Sequence, residues 1–234
     1  MPKNILIATK LSNDWSGDYS FLNFASLGNL LRGEYEIGRV RFFCDGMLSA
    51  ALFSLLKLKS ISRFSFDFTS LAGPVLLDAE SHNKPVFFVG GSSSEISVFR
   101  EKISSQYTDL VISGAEDGFK PESEWNDLYD RIIDSKASVV VAGLGAGKQE
   151  RFINGLREKG YQGVSFTCGG FITQTAMVKE LDYYPRIINT LNLRFAYRMC
   201  REPHTIKRYL NDYPKNLFLF MASYLSKSIT ISVE

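Results

Sequence analysis

Short apolar runs alternate with stretches of helical spacing along this chain, and that alternation restricts its fold more than any other feature. The runs lie at residues 4–9, 38–43, 85–90, 109–113, 138–143 and 163–168. Continuous apolar strands, each followed by a helix, predict a parallel sheet that is covered on both faces. The expected fold class is therefore α/β, with a Rossmann-like parallel sheet and helices on both faces to about residue 180.

Two of the intervening stretches carry a clear apolar face. Residues 123–135 place their large apolar side chains on one side of a helix, and Ser123 is expected to be its N-cap. Residues 148–160 repeat this spacing, with Gly160 expected to end the helix. Both stretches directly precede or follow the run at 138–143, as a strand–helix alternation requires.

The stretch VVVAGLGAGKQERFINGL, residues 139–156, has the form of a strand, a glycine-rich turn and a helix, which can present backbone N–H groups to an anion. It does not match a Walker A loop, because Ala142 stands where the first glycine belongs and Gln149 where the Mg²⁺-binding hydroxyl belongs. It does not match the dinucleotide fingerprint either, because Glu150 stands where the third glycine belongs. A nucleoside-triphosphate hydrolase and a Rossmann oxidoreductase are both disfavoured.

Glycine-containing turns follow four of the predicted strands. They are Asp45-Gly46, Gly90-Gly91, the 143–149 turn and Gly169-Gly170. In open α/β sheets, ligands bind outside the carboxyl ends of the strands, where glycine lets a ligand approach the backbone closely. A turn between a strand and a helix favours glycine for its own sake, so no single pair is decisive. The four together predict a site for a nucleotide diphosphate.

Composition excludes several classes of protein. The 234 residues carry a net charge of +2, whereas a general nucleic-acid binder is usually strongly basic, so no nucleic-acid partner is expected. The sequence has three cysteines, Cys44, Cys168 and Cys200. Because their number is odd and their spacing is not that of metal ligands, they indicate a reduced, cytoplasmic protein. The N-terminus lacks the apolar core of a signal peptide, and no apolar run is long enough to span a membrane.

The last third of the sequence changes character after residue 183. Basic residues are interleaved there with aromatic and leucine residues, and Pro203 and Pro214 divide the segment into short helices. We therefore divide the chain into a catalytic, nucleotide-binding domain at 1–182 and a basic helical appendage at 183–234. The appendage is suited either to packing as a solvated basic helix or to binding anionic headgroups at a membrane surface.

Several motifs together resemble the WecG/TagA/CpsF family of bacterial glycosyltransferases, glycosyltransferase family 26. CDGMLSA at 44–50 is similar to the family's strand ending in Asp-Gly, and RFSFD at 63–67 is similar to its Arg-to-Asp stretch, with Phe66 where the family has glycine. GLGAGKQE at 143–150 is similar to G-x-G-x-P-K-Q-E, with Gly147 for proline. FAYRMCREPHTIKRY at 195–209 is similar to the C-terminal motif. The resemblance runs from about residue 38 to 215.

The resemblance implies an inverting transfer of a sugar from a UDP-sugar donor to a polyprenyl-diphosphate-linked acceptor, with no metal site and no cofactor. It implies that Asp45 is the general base. It also implies that the acceptor diphosphate is bound by Arg198, Arg201 and Arg208. The donor-binding residues implied by the family and the glycine turns are Gly46, Gly90, Gly91, Gly143, Gly145, Lys148, Gln149, Glu150, Gly169 and Gly170. The implied location is the inner face of the cell membrane, with the C-terminal helices at the cytoplasmic membrane surface.

Each of these roles has a structural alternative. Asp45 would otherwise cap the helix that starts near Met47, and residues 148–150 would otherwise form an exposed first helical turn. The exposed apolar residues of the appendage suit a homo-oligomer interface as well as a bilayer. The sequence also departs from the family at Tyr19, Ile172, Arg194 and Thr205, so a catalytically silent nucleotide-sugar-binding subunit of a membrane assembly stays open as the second hypothesis.

Overall fold

The computed structural model describes residues 2–9, 15–178, 197, 199–200 and 204–234, and within these the alternation predicted from the sequence is confirmed. The strands are β1 (Lys3–Ile7), β2 (Asp18–Leu22), β3 (Arg41–Cys44), β4 (Val86–Gly90), β5 (Ile112–Glu116), β6 (Val139–Gly143), β7 (Val164–Thr167) and β8 (Ile229–Val233). The helices are α1 (Phe24–Leu31), α2 (Met47–Lys57), α3 (Ala72–Ser81), α4 (Ser93–Gln106), α5 (Trp125–Asp134), α6 (Lys148–Glu158), α7 (Phe171–Met177), α8 (His204–Lys207) and α9 (Tyr213–Leu225).

The described strands form one sheet in the order β5-β4-β6-β7-β2-β3-β1-β8, and every neighbouring pair is parallel. All carboxyl ends of these strands therefore lie along one edge. The register pairs Gly90 with Gly143 and Ala142 with Thr167, so the strand ends of β4, β6 and β7 are level. Leu22 and Cys44 pair in the same way at the ends of β2 and β3.

Helices cover both faces of the sheet, as the sequence predicts. Val139 and Val141 point into a core formed with α3, α4 and α7, whereas Val140 and Ala142 point into a core formed with α1, α2, α5, α6 and α9. Successive side chains of a strand point to opposite faces, so a strand between two helix layers needs apolar residues at every position. This requirement explains the unbroken apolar run SVVVAG, residues 138–143.

Two strands were not predicted. β2 (DYSFL) lies between β7 and β3 in the middle of the sheet, although Asp18 and Ser20 interrupt its apolar pattern. Both polar side chains are buried against partners on α6, Arg157 and Glu150, which are more than 100 residues away in the chain. Local periodicity does not reveal such partners, and the strand is therefore hidden from a sequence-based reading.

The second unpredicted strand is β8, which pairs along its whole length with β1 at the edge of the sheet. The C-terminal residues thus contribute a strand as well as helices. α9 packs against α1 at a point where an added Cβ on Gly28 would lie 2.3 Å from the Asn216 side chain. The absence of a side chain at Gly28 therefore allows these two helices to approach each other closely.

The prediction that Ser123 caps α5 was wrong. A 3₁₀ turn at Glu122–Glu124 precedes the helix, and the cap residue is Glu124, which makes no side-chain capping bond. The helix is held by its buried face instead, through Trp125, Leu128 and Ile132. At the other helix, Gly160 follows the capping residue Lys159 and has a φ of +110°, a conformation that favours glycine.

Asn216 fastens α9 to the body of the protein. Its amide donates to the carbonyl of Phe24 at 2.8 Å and its oxygen accepts from Arg32 at 3.0 Å. We expect Asn216→Ala to lower the free energy of unfolding by about 1–3 kcal/mol, because the buried Phe24 carbonyl loses the Asn216 amide as its donor. Chemical denaturation measures this loss, with the exposed Asn211→Ala as control; equal stability of the two variants would contradict the assignment.

Candidate active site

The carboxyl edge of the sheet gathers most of the predicted site residues. Asp45 follows β3, Gly91 follows β4, the 143–147 turn ends β6 and Gly169 lies beyond β7. The strand order β6-β7-β2-β3 separates Gly143 from Asp45 by three strand spacings, or about 14 Å. The predicted general base and the predicted donor turn therefore lie on the same edge, on either side of β7 and β2.

The topology also provides a crevice at this edge. From β4 the chain crosses to β5 on one side, whereas from β6 it crosses to β7 on the other side. α4 and α6 consequently leave toward opposite faces of the sheet, where they belong to different cores. Ligands of open α/β sheets bind at such a switch point. Here it lies between the turns that follow Gly90 and Gly143.

The glycines of this edge fall into two groups. Gly90 and Gly143 are required by packing, since a Cβ on Gly90 would lie 2.8 Å from the carbonyl oxygen of Gly143 and one on Gly143 would lie 2.8 Å from that of Gly169. Gly145 and Gly169 have φ of +85° and +55°, and a Cβ on either would meet no atom within 4 Å. The second group leaves backbone open to a ligand, as close binding of a diphosphate requires.

The remaining predicted glycines lie where helices begin. Gly46 has a φ of +110° and is the N-cap residue of α2, while Gly170 is the N-cap residue of α7. Gly91 has a φ of +66° beside the Glu95 side chain. These turns direct the first N–H groups of helices toward the same edge, where the helix dipole favours an anion.

Asp45 does not cap α2, so the structural alternative for this residue is contradicted. The cap residue is Gly46, and the helix has no side-chain capping bond. The Asp45 amide donates to the carbonyl of Leu22 at 2.8 Å, which ties the residue to the end of the neighbouring strand. Its carboxylate is partly exposed and lies 3.5 Å from Arg63. The side chain is therefore held in place without being enclosed.

Arg63 was not predicted to be a site residue from the sequence, yet it contacts several polar side chains beside Asp45. Its Nη2 lies 3.5 Å from Asp45 and 3.6 Å from Asp67, and donates to Ser65 at 2.6 Å. Phe64 donates its amide to the carbonyl of Cys44 at 2.9 Å, which brings the segment alongside the end of β3. The signal was present in the RFSFD motif, but sequence alone did not show that its arginine contacts Asp45.

Gln149 and Glu150 are buried, so the alternative of an exposed first helical turn is contradicted for both. Gln149 accepts from the amide of Gly169 at 3.1 Å and donates to Glu150 at 3.0 Å. Glu150 has no exposed surface and accepts from the amide of Gly147 at 2.6 Å and from the Ser20 hydroxyl at 2.6 Å. The two side chains join the turns after β6 and β7 to the central strand β2.

Lys148 points away from Gln149 and Glu150, toward the turn after β5. Its ammonium group donates to the carbonyls of Gly118 and Lys120 at 3.1 and 3.3 Å and lies 5.8 Å from the centre of the Trp125 ring. An ammonium group has three N–H donors, and two of them are used here. Lys148 therefore connects the turns after β5 and β6, and among the described residues its third N–H has no hydrogen-bond partner.

Two of the departures from the family pattern have structural explanations. Tyr19 lies in the core, stacked between Phe43 and Phe166 with ring centres 5.8 and 5.2 Å away. Ile172 is buried, and its Cδ1 would lie 2.9 Å from a Cβ on Gly90. Ile172 therefore packs beneath the carboxyl edge, whereas Tyr19, near the amino end of β2, is a core residue away from that edge.

The predicted acceptor site lies largely outside the described residues. Arg198, Arg201 and Arg194 belong to positions that the structure does not describe, as do the side chains of Thr205 and Arg208. The backbone of Arg208 begins a short π-helical turn at Arg208–Asp212 that leads into α9. Tyr209 in that turn packs edge-on against Tyr213, with 5.0 Å between ring centres.

Within the part of the chain that the structure describes, no three His, Cys, Asp or Glu side chains are grouped as metal ligands. None of the helices within the described ranges is both long and apolar enough to cross a membrane.

The thiol of Cys44, the residue before Asp45, provides a test of how deeply the end of β3 is buried. Burial, together with the charge of Asp45, raises the pKa of Cys44 to about 12, and burial raises the pKa of Cys168 as well. At a pKa of about 12, only about one Cys44 in ten thousand is a thiolate at pH 8. We expect iodoacetamide to label only the exposed Cys200 in the native protein and all three cysteines after denaturation. Native labelling of Cys44, read by peptide mass spectrometry, would contradict this burial.

Comparison with known proteins agrees with this arrangement. The model of the family described as "Glycosyl transferase WecG/TagA/CpsF family" matches residues 40–229. The chain is similar to a Shigella boydii protein, UDP-Gal:alpha-D-GlcNAc-diphosphoundecaprenol beta-1,4-galactosyltransferase. The two are 31% identical over 191 residues, which cover 81% of this chain and 79% of the relative. Asp45, Arg63 and the 143–150 turn all lie within the matched residues.

Proposed function

Because the chain belongs to the WecG/TagA/CpsF family of glycosyltransferases, we propose that it moves a sugar from a UDP-sugar onto a polyprenyl-diphosphate-linked saccharide for cell-surface polysaccharide. The donor and acceptor classes are those in the name of the relative, a galactosyltransferase that acts on a GlcNAc-diphosphoundecaprenol. The observation that carries the proposal is the placement of Asp45 on the same sheet edge as the open Gly145 and Gly169 turns.

The donor diphosphate is assigned to the switch-point crevice. The backbone at Gly145 is open there, the backbone at Gly169 is open in the neighbouring turn after β7, and the N-termini of α6 and α7 lie at the same edge. The Lys148 ammonium group supplies positive charge to stabilise the negative charge that develops on departing UDP. In this proposal Gln149 and Glu150 act as positioning residues, because their side chains are buried and already bonded within the protein.

Asp45 is assigned as the general base. Its carboxylate takes the proton of the acceptor hydroxyl as that oxygen forms a bond to the anomeric carbon of the donor. The bond from the anomeric carbon to the UDP oxygen breaks on the opposite side, so UDP leaves with the electron pair and the configuration inverts. Arg63 holds Asp45 through the ion pair at 3.5 Å and is itself fixed by Ser65 and Asp67.

The acceptor is assigned to the neighbourhood of Asp45. Arg198, Arg201 and Arg208 remain the proposed ligands of its diphosphate, since a guanidinium can bond two phosphate oxygens at once. The same segment is proposed to meet the inner surface of the cell membrane, which is where a lipid-linked acceptor resides. A homo-oligomer that uses the apolar residues of the C-terminal helices is compatible with this arrangement.

Glu150 offers a test of the positioning role. We expect Glu150→Ala to lower the free energy of unfolding by about 1–3 kcal/mol, because the Gly147 amide and the Ser20 hydroxyl lose their buried acceptor. The turn would then be less ordered, so the affinity for UDP should fall as well. Calorimetric titration with UDP measures the second effect. Glu158→Ala, an exposed change on the same helix, is the control, and unchanged UDP affinity in Glu150→Ala would contradict the assignment.

The proposed function is tested by UDP release from the full chain with a panel of UDP-sugars and a short-chain GlcNAc-diphospholipid acceptor. Acceptor-dependent release from one UDP-sugar would establish the reaction and identify the donor. No release from any donor, with UDP still bound, would instead support the catalytically silent subunit, which the family membership does not favour. A melting-temperature shift with UDP shows that the protein is folded and binding-competent in either case.

A further inference from the structure

The outer face of α2 is an apolar surface without a protein partner in the described structure. The first ten residues of the helix, MLSAALFSLL, contain no charge. Ser49, Ala50 and Phe53 form its buried side. The opposite side exposes a row of residues spaced three, four and three apart, so that they fall on one face. This row, the α2 stripe, consists of Leu48, Ala51, Leu55 and Leu58.

The exposure of this stripe is unusual for a surface helix. Leu55 is 71% exposed and Leu58, just beyond the helix, is 91% exposed. A surface helix of a globular protein normally places charged or polar residues on its outer face. A continuous exposed apolar surface instead marks a site of contact with a protein or a membrane.

The apolar surface continues onto the neighbouring helix. Phe53 of α2 packs against Phe220 of α9, with ring centres 5.4 Å apart, so the two helices contribute to the same core on one face of the sheet. Phe218 and Leu225, which are on the solvent side of α9, are also largely exposed. Both helices on this face of the sheet thus carry exposed apolar residues. Side chains that project in a row from a helix form a ridge and not a groove. A ridge fits against a lipid bilayer better than it binds an extended peptide.

The position and charges of the stripe indicate which layer it meets. Leu48 is three residues after Asp45, and ten residues of rise separate Leu48 from Leu58, a length of about 15 Å. Lys57 and Lys59 flank the far end. Lysines beside an apolar face are the pattern of helices that lie in the membrane interface, where the ammonium groups meet phosphate and the apolar side chains meet hydrocarbon.

We propose that the α2 stripe inserts into the hydrocarbon boundary of a bilayer and so holds the outer face of α2, with Asp45 just before its first turn, beside the membrane. This inference rests on the proposed function, in which the acceptor is lipid-linked. It is distinct from the basic C-terminal segment, because the stripe is uncharged and precedes that segment by more than 100 residues. Its attraction to the membrane is apolar, so it operates on neutral lipid as well as on acidic lipid.

The test measures binding of the full chain to acceptor-free vesicles of phosphatidylcholine, alone or with phosphatidylglycerol, by co-flotation. The variant is Leu55→Ser/Leu58→Asn, in which asparagine suits the positive φ of position 58. The matched control is Leu77→Ser/Val98→Ser, two exposed apolar residues on α3 and α4 at the other face of the sheet. We expect the variant to bind both vesicle types at least about tenfold more weakly than the control, since two leucines leave the apolar layer.

Other readouts decide between this inference and its competitors. Equal vesicle binding by variant and control would overturn it. Loss confined to vesicles doped with the lipid-linked acceptor would also overturn it, because the stripe would then bind the acceptor's own chain. A fall in molar mass of the variant by light scattering would overturn it in favour of a subunit interface.

Turnover of a water-soluble short-chain acceptor should be unchanged in the variant. If the parent protein shows no turnover, the proposed function fails while vesicle binding still tests the stripe.

Discussion

Asp45→Asn is expected to lower the rate of sugar transfer by about 10²–10⁴-fold, the usual contribution of a positioned general base. The amide has nearly the shape of the carboxylate but does not take up the acceptor's proton. UDP affinity should be retained, because Asp45 lies about three strand spacings from the donor turn. The measurements are kcat/KM from acceptor-dependent UDP release and calorimetric titration with UDP.

Controls make the Asp45 result specific. Asp127→Asn removes a carboxylate from the exposed first turn of α5 and should leave kcat/KM unchanged. Arg63→Ala should reduce kcat more than it changes UDP affinity, because it releases the Asp45 carboxylate without removing it. If Asp45→Asn retained more than a tenth of the parental kcat/KM, another group would have to be the base.

Asp18→Ala is expected to lower the free energy of unfolding by about 3–5 kcal/mol, the cost of removing one partner from a buried ion pair. Asp18 is only 3% exposed at the start of β2, and both of its oxygens are bonded to Arg157 at 2.8 and 3.0 Å. Ser165 donates to the same carboxylate at 2.6 Å. The change would leave the Arg157 guanidinium half-buried without its counter-ion.

The matched control for Asp18 is the exposed pair Lys159–Asp130, which joins neighbouring helices at 3.1 Å. Asp130→Ala should cost less than about 1 kcal/mol, because an exposed ion pair is screened by water and salt. Urea denaturation of both variants provides the comparison. A similar small loss in both would show that the buried pair adds little. Since Asp18 lies at the amino end of its strand, kcat measured well below the melting temperature should be preserved.

The proposed donor turn shows how far the residue pattern predicts a site. GLGAGKQE predicts an anion-binding turn that matches neither the Walker nor the dinucleotide pattern, and its place between β6 and α6 is confirmed. The directions of its side chains were not predictable. Gln149 and Glu150 turn inward because Ser20 and the Gly169 amide offer buried partners, and those partners come from β2 and the turn after β7.

The central strand shows the corresponding limit for the fold. Sequence periodicity identifies strands that are apolar on both faces, such as β4 and β6, because their pattern does not depend on distant partners. β2 is equally central, but Asp18 and Ser20 are tolerated only because α6 supplies Arg157 and Glu150. β8 was missed for a related reason, since a short strand at an edge depends on its pairing with β1.

By itself, the sequence determined the α/β class, the parallel sheet, the glycine turns at its carboxyl edge and the family, because each follows from local spacing or from motif order. Only the tertiary structure decided that Asp45 is held by Arg63 and does not cap a helix. It also decided that Gly145 and Gly169 are open while Gly90 and Gly143 are packed. It further placed α2 and α9 on the same face of the sheet, each with exposed apolar residues. The physical reason is that hydrogen bonds and close contacts join residues far apart in the chain, and their geometry exists only once the sheet has formed.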